Sequence, residues 1–126
     1  MENPTKVLIV EDDLITQQIL GLYMIEYDPI IVPSGEEAIK ECETNKYDII
    51  LMDIRLKTGI DGVKTFKRIK EIKGYKNTPI LAITAYAMRG DKEYFLEEGF
   101  EGYLAKPFLK ENLIEIINIV LKKEIV

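Results

Sequence analysis

The chain has 126 residues, 47% of them apolar and 31% charged, with a formal net charge of −5. That length suits one domain with a real core, and the acidic balance argues against a nucleic-acid surface, which is normally basic. Histidine is absent and Cys42 is the single cysteine, which excludes a Cys/His metal site, a Ser/His/Asp triad and an intrachain disulfide within this chain.

A lone cysteine makes a reducing compartment the natural setting. No apolar run approaches a membrane span, and Met1-Glu2-Asn3-Pro4 lacks a basic-then-apolar signal pattern. A soluble, cytoplasmic protein is expected. There is no internal repeat, low-complexity segment or Pro/Gly-rich linker, so residues 1–126 read as one domain.

Short apolar runs alternate with longer amphipathic stretches. Lys6–Val10 (KVLIV) is β-branched and aliphatic and too short for a helix, so it predicts a first strand. Ile15, Ile19 and Leu22, with Gln17 and Gln18 between, have helical spacing and predict the buried stripe of a first helix. Ile30–Val32 is a weaker strand. Ser34-Gly35-Glu36-Glu37 opens a second helix with acids in its first turn, and Ala38, Ile39 and Cys42 form its stripe. Asp48–Met52 (DIILM) is a third strand. Val63, Phe66, Ile69 and Ile72 make a third helix ending near Gly74. Pro79–Thr84 (PILAIT) is a strand with Pro at the tolerated first position. A weaker helix spans about Met88 to Glu98, stopped by Gly99. Gly102–Leu104 is a short strand. Leu113, Ile116, Ile117, Val120 and Leu121 stripe a fifth helix that runs into Lys122-Lys123.

Five βα units in this order imply right-handed crossovers and a doubly wound parallel sheet, whose strands are apolar on both faces because helices cover both. In such sheets the site lies beyond the carboxyl ends of the strands. Glu11, Asp12 and Asp13 follow the first strand, Asp53 the third, Thr84 and Ala85 close the fourth, and Lys106 with Pro107 follows the fifth. Carboxylates brought together there repel unless cations are present. Lys106 neutralises one charge, and a hard dication with oxygen ligands, of which Mg²⁺ is the common case, would neutralise more. A carboxylate beside such a cation and an ammonium is placed as a nucleophile towards phosphorus. Phosphoryl transfer depends on positioning and charge neutralisation more than on a proton shuttle, so a site without histidine can perform it. Each piece alone has an ordinary reading: Glu-Asp-Asp as a solvated helix start, Lys-Pro as a turn, Thr84 as a strand residue. The unpaired Asp53 after IILM is the hardest to dismiss, because burying a carboxylate is costly.

VLIVEDD (7–13), DIILMDIRL (48–56), DG (61–62), PILAITAYA (79–87) and YLAKPF (103–108) together resemble the receiver domain of two-component response regulators, over about residues 5–123. The resemblance implies a five-stranded parallel sheet in the order 2-1-3-4-5 with five helices. By position it implies Asp53 as phosphoacceptor, Glu11 and Asp12 as the acidic pair that holds Mg²⁺ (or Mn²⁺) with Asp53, and the Arg55 backbone carbonyl as a further ligand. Asp13 stays a helix N-terminal acid. Thr84 resembles the switch hydroxyl, Lys106 the lysine that pairs with a phosphoryl oxygen, and Tyr103 the aromatic whose ring turns inward; the Lys106–Pro107 bond is often cis in this family. The implied partners are a sensor histidine kinase or a histidine phosphotransfer domain, and a downstream protein on the face of the fourth helix, fifth strand and fifth helix. No nucleic acid or membrane partner is implied.

Two departures stand out. Most receivers carry proline four residues after the phosphoacceptor, where this chain has Lys57, and the stretch to Asp61-Gly62 is one residue longer than the commonest form. Arg55 and Tyr86 lie at positions that tend to tune dephosphorylation, and a bulky pair there predicts a slow loss of the phosphoryl group. Two rival readings exist. An aspartyl phosphatase usually needs a second Asp two residues after the nucleophile, where this chain has Arg55. A degenerate receiver would be a phosphorylation-independent binding module, against which all expected residue types are present. The sequence is read as a stand-alone receiver or a piece of a larger protein.

Overall fold

The computed structural model describes residues 5–85 and 88–125, with side chains as far as residue 122. Strands and helices alternate: β1 (Val7–Val10), α1 (Leu14–Tyr23), β2 (Ile30–Val32), α2 (Gly35–Thr44), β3 (Ile49–Asp53), α3 (Gly62–Lys70), β4 (Ile80–Thr84), α4 (Asp91–Glu98), β5 (Gly102–Ala105) and α5 (Lys110–Ile125). All neighbouring strands are parallel, in the order β2-β1-β3-β4-β5. This is the flavodoxin-like arrangement that the resemblance implies. None of the described helices is long and apolar enough to cross a membrane.

Alternate strand residues serve opposite faces, which explains the unbroken apolar runs. Leu8, Val10, Ile50, Met52, Ile80 and Ala82 belong to one core with Ala38 and Cys42 of α2, Phe66 and Ile69 of α3 and Phe95 of α4. Val7, Ile9, Ile49, Leu51, Leu81 and Ile83 belong to the other, with Leu20 of α1 and Leu113, Ile117 and Val120 of α5. A fully buried aliphatic side chain contributes about 1.5–3 kcal/mol, against about 1 kcal/mol for a helix cap, so these strand positions dominate the fold. Caps then set where helices begin: Asp13, Ser34 and Asp61 accept from the backbone N–H of Thr16, Glu37 and Lys64 at 2.9, 3.2 and 2.8 Å.

Four boundaries or faces differ from the sequence reading. Ile15, Ile19 and Leu22, the expected buried stripe of α1, are 69%, 43% and 66% exposed, while Leu20 and Met24 are buried. The helix carries apolar residues on more than one side, so spacing alone does not choose the buried face; with Leu20 inward, the Gln17 side-chain amide donates to the Glu11 carbonyl at 2.6 Å. Asp53 is the last residue of β3 rather than the residue after it. The third helix stops at Lys70, and the chain continues to Tyr75 through i→i+3 turns that keep Ile72 packed. The fourth helix starts at Asp91 rather than near Met88, because Gly90 has φ +89°, outside the helical region.

Gly62 opens α3 hard against the end of β3. A Cβ there would lie 2.5 Å from the Asp53 carbonyl oxygen and 2.7 Å from Ile54 Cα, both backbone atoms that cannot rotate away. Alanine is the better helix former, so propensity alone would favour it. Overpacking wins instead: Gly62→Ala is expected to destabilise the protein by about 1–3 kcal/mol in urea denaturation.

Candidate functional site

Strand register brings the predicted residues together before any side chain is considered. Val10 pairs with Met52, so Glu11 emerges beside Asp53. Asp53 pairs with Ile83, next to Thr84, and Thr84 pairs with Ala105, next to Lys106. The ladder also continues past the strand ends: the N–H groups of Glu11, Ile54 and Lys106 donate to the carbonyls of Val32, Ile83 and Thr84 at 3.0, 2.9 and 2.8 Å. The backbone beneath each charged side chain is therefore held by the neighbouring strand.

Glu11 and Asp53 are 1% and 5% exposed, so two carboxylates are buried side by side. Lys106 answers them, with its Nζ 2.6 Å from Glu11 Oε1 and 3.8 Å from Asp53 Oδ2. The Lys106–Pro107 bond is cis. Each carboxylate also accepts a backbone N–H: Glu11 Oε2 from Asp13 at 3.1 Å, Asp53 Oδ1 from Arg55 at 3.0 Å and Asp12 Oδ2 from Lys57 at 2.6 Å. Burial raises the Glu11 pKa to about 7; the Lys106 hydrogen bond opposes this and the Asp53 charge adds to it. Asp13, the N-cap of α1, lies apart from this cluster in role, and the Thr16 N–H holds its carboxyl below the usual range.

Glu11, Asp12 and Asp53 each offer an oxygen, and these three atoms lie within 4.8 Å of one another. All are hard donors, buried or half-buried, and together they carry more negative charge than Lys106 offsets. This donor set fits a hard dication such as Mg²⁺. Thr84 is buried at the edge of the same cluster. Tyr103 sits one strand over, half-buried, with its ring stacked on Phe95 of α4 at 5.9 Å between centroids. Desolvation, and secondarily the Asp91 charge, pushes its hydroxyl pKa up. The Arg55 side chain is exposed. Tyr86, its expected companion, lies outside the described residues.

Three contributors were missed by sequence reasoning. Gln17 stands in the sequence only as a polar residue between apolar helix positions, yet its side chain holds the Glu11 carbonyl. Glu36 was read as a first-turn acid, yet it accepts the Ile60 N–H at 3.0 Å from across the β3–α3 loop. Lys57 was noted only as a missing proline, although any residue other than proline supplies the N–H that meets Asp12.

The response regulator receiver domain family matches residues 7–118. A hybrid signal transduction histidine kinase I of Dictyostelium discoideum is 36% identical over 124 residues, which is 91% of this chain and 7% of the kinase. The polar-differentiation response regulator DivK of Brucella anthropi is 34% identical over 117 residues, covering 90% of this chain and 94% of DivK. The chain thus spans a small part of one relative and nearly all of the other. Among solved structures, the receiver domain of sensor histidine kinase PA1611 from Pseudomonas aeruginosa, described with a magnesium ion coordinated in its active site cleft, superposes with a TM-score of 0.86 at 33% identity, covering 95% of this chain and 99% of that one.

The raised Glu11 pKa has a definite sign. The folded, metal-free protein binds this proton more tightly than the unfolded chain, so the contribution is complete below about pH 4.5 and is lost as the pH rises through about 7. A dication needs the deprotonated carboxylate. Mg²⁺ is therefore expected to raise the melting temperature more at pH 8 than at pH 6, and Glu11→Gln to remove most of that difference in parallel thermal melts.

Proposed function

Because this chain belongs to the response regulator receiver domains of two-component signalling, we propose that it is a phosphoacceptor switch in which Asp53 takes a phosphoryl group from a phosphohistidine. The observation that carries this reading is the buried Asp53 flanked by Glu11 and Lys106 at the carboxyl edge of the sheet. Receiver domains are signalling domains rather than classical enzymes, and the chain assists its own phosphorylation and dephosphorylation.

An Asp53 carboxylate oxygen forms the bond to phosphorus as the phosphorus–imidazole nitrogen bond breaks, and the electron pair leaves with the imidazole. Mg²⁺ (or Mn²⁺), held by Glu11, Asp12, Asp53 and the Arg55 backbone carbonyl, supplies neutralisation of the phosphoryl oxygens when bound. Lys106, already between Glu11 and Asp53, pairs with a phosphoryl oxygen. Thr84 moves to donate its hydroxyl hydrogen to another, and Tyr103 turns into the space released. That change alters the α4–β5–α5 face for a downstream protein, a two-state element biased by a local charge.

The donor is a protein, a sensor histidine kinase or a histidine phosphotransfer domain. Supporting this, Leu14, Ile15, Ile19 and Leu22 expose apolar surface on α1, whose Ile19 also lines, with Pro107 and Phe108, a hollow at Lys106. Such a patch beside a charged site suits a macromolecular donor more than a free phosphate ester.

Intact mass after incubation with acetyl phosphate tests the chemistry. A gain of one phosphoryl group is expected with Mg²⁺, and none without it or in Asp53→Asn. No gain in folded wild type under any condition would favour a phosphorylation-independent binding module. After removal of the donor, the phosphoryl group is expected to persist for minutes or longer; a lifetime of seconds would reject the slow loss expected from the bulky pair Arg55 and Tyr86.

A further inference from the structure

We propose that the β3–α3 loop, residues 54–61, is a positioning strap for Asp12, and that Glu36 of α2 is its outer anchor. The inference rests on reading Glu11, Asp12 and Asp53 as a cation site.

Each of the three carboxylates accepts one backbone N–H, but the donors differ in origin. Asp13 serves Glu11 and Arg55 serves Asp53, each two residues further along the chain, so these bonds are local turns. Asp12 depends on Lys57, 45 residues away, at 2.6 Å. A local donor stays in place whatever the rest of the chain does. A distant one stays only if its own loop is held.

The loop is closed on itself and held at two points between. Gly62 N–H donates to the Ile54 carbonyl at 3.2 Å and joins its two ends, and Leu56 is 9% exposed, tucked into the core. On its outer side Ile60 N–H donates to Glu36 Oε2 at 3.0 Å. The Glu36 carboxylate lies flat against the loop: a Cβ on Gly59 would meet its two oxygens at 2.4 and 2.5 Å. The first residue of α2 abuts the same region, since a Cβ on Gly35 would lie 2.8 Å from Ile60 Cγ1. Lys57 sits between these fixings. Its N–H exists because the residue is not proline, which has no backbone donor. A carboxylate has about four lone-pair sites, so the Lys57 bond orients Asp12 and leaves others for a cation.

Partners that orient a ligating carboxylate typically change metal affinity by about 10–100-fold when removed. One neutral N–H that water can partly replace belongs at the low end, about tenfold. The measurement is the Mg²⁺ dissociation constant of unphosphorylated protein by titration calorimetry, in two matched pairs. Lys57→Pro and Lys57→Ala both lose the ammonium, but only alanine keeps the N–H. Glu36→Ala and Glu36→Gln both lose the carboxylate charge, but glutamine keeps an oxygen acceptor for Ile60. Binding about tenfold weaker in Lys57→Pro than in Lys57→Ala, and weaker in Glu36→Ala with rescue in Glu36→Gln, is expected. Equal affinities within each pair, in a protein whose wild type binds Mg²⁺, would overturn the strap alone. A wild type that does not bind Mg²⁺ would overturn both the strap and the cation site beneath it. Should Lys57→Pro fail to fold, the Glu36 pair decides: equal affinities there overturn the proposal.

Discussion

Two carboxylates held side by side in a place that water barely reaches set the terms for everything else at this edge of the sheet. Glu11 and Asp53 are neighbours because β1 and β3 are paired in that register, and both are buried because helices cover both faces. Like charges so placed cannot both be comfortable without compensation. Lys106 provides one positive charge, close to Glu11 and further from Asp53. Three carboxylates face that one ammonium, which leaves the cluster under-neutralised, and burial keeps the Glu11 pKa raised despite the contact. The same deficit would repel an incoming phosphoryl donor. Further positive charge is thus a precondition of the proposed chemistry as well as of comfort in the resting site.

The fold meets this constraint with backbone more than with side chains. Parallel pairing is carried one residue past the strands, so Glu11, Ile54 and Lys106 leave the sheet with their amides already bonded to a neighbour. Local turns then give Glu11 and Asp53 a backbone donor each, and the β3–α3 loop gives Asp12 one. Orientation by rigid amides costs little side-chain entropy, which suits the phosphoacceptor role proposed for this site.

Much of this was legible in the sequence because two different constraints wrote it. Continuous aliphatic runs of four or five residues, such as VLIV and IILM, arise where both faces of a strand are buried, and they marked β1 and β3 within a residue. Charged residues placed directly after such runs marked the edge where the carboxylates and Lys106 gather. Reading failed where one helix carried two apolar faces: spacing could not say whether Ile15 and Ile19 or Leu20 and Met24 faced the sheet, and the buried pair is Leu20 and Met24. It also failed where a backbone atom did the work. Lys57 was visible as an absent proline, but its donor meets Asp12 only after the chain has folded across 45 residues. Glu36 looked like any acid in a first turn, and its second role depends on a loop that α2 does not adjoin in sequence.

The opposite end of the sheet has the reverse character. There the loops are latched by bonds to neutral acceptors: Tyr75, 1% exposed, accepts the Tyr47 N–H at 2.9 Å, and Lys46 donates to the Gly74 carbonyl at 2.6 Å. Lys70 reaches Glu101 at 3.6 Å, and Glu101 in turn accepts the Ile80 N–H at 2.7 Å, which ties the starts of β4 and β5 to the end of α3. The switch proposed for Thr84 and Tyr103 lies on those same two strands. Thr84 ends β4 and Tyr103 is the second residue of β5, so both sit beyond the latch, towards the charged edge. A strand pinned at one end and loaded with charge at the other can move where the charge changes without losing its place in the sheet. That division lets a marginally balanced site and a stable core share strands only four or five residues long.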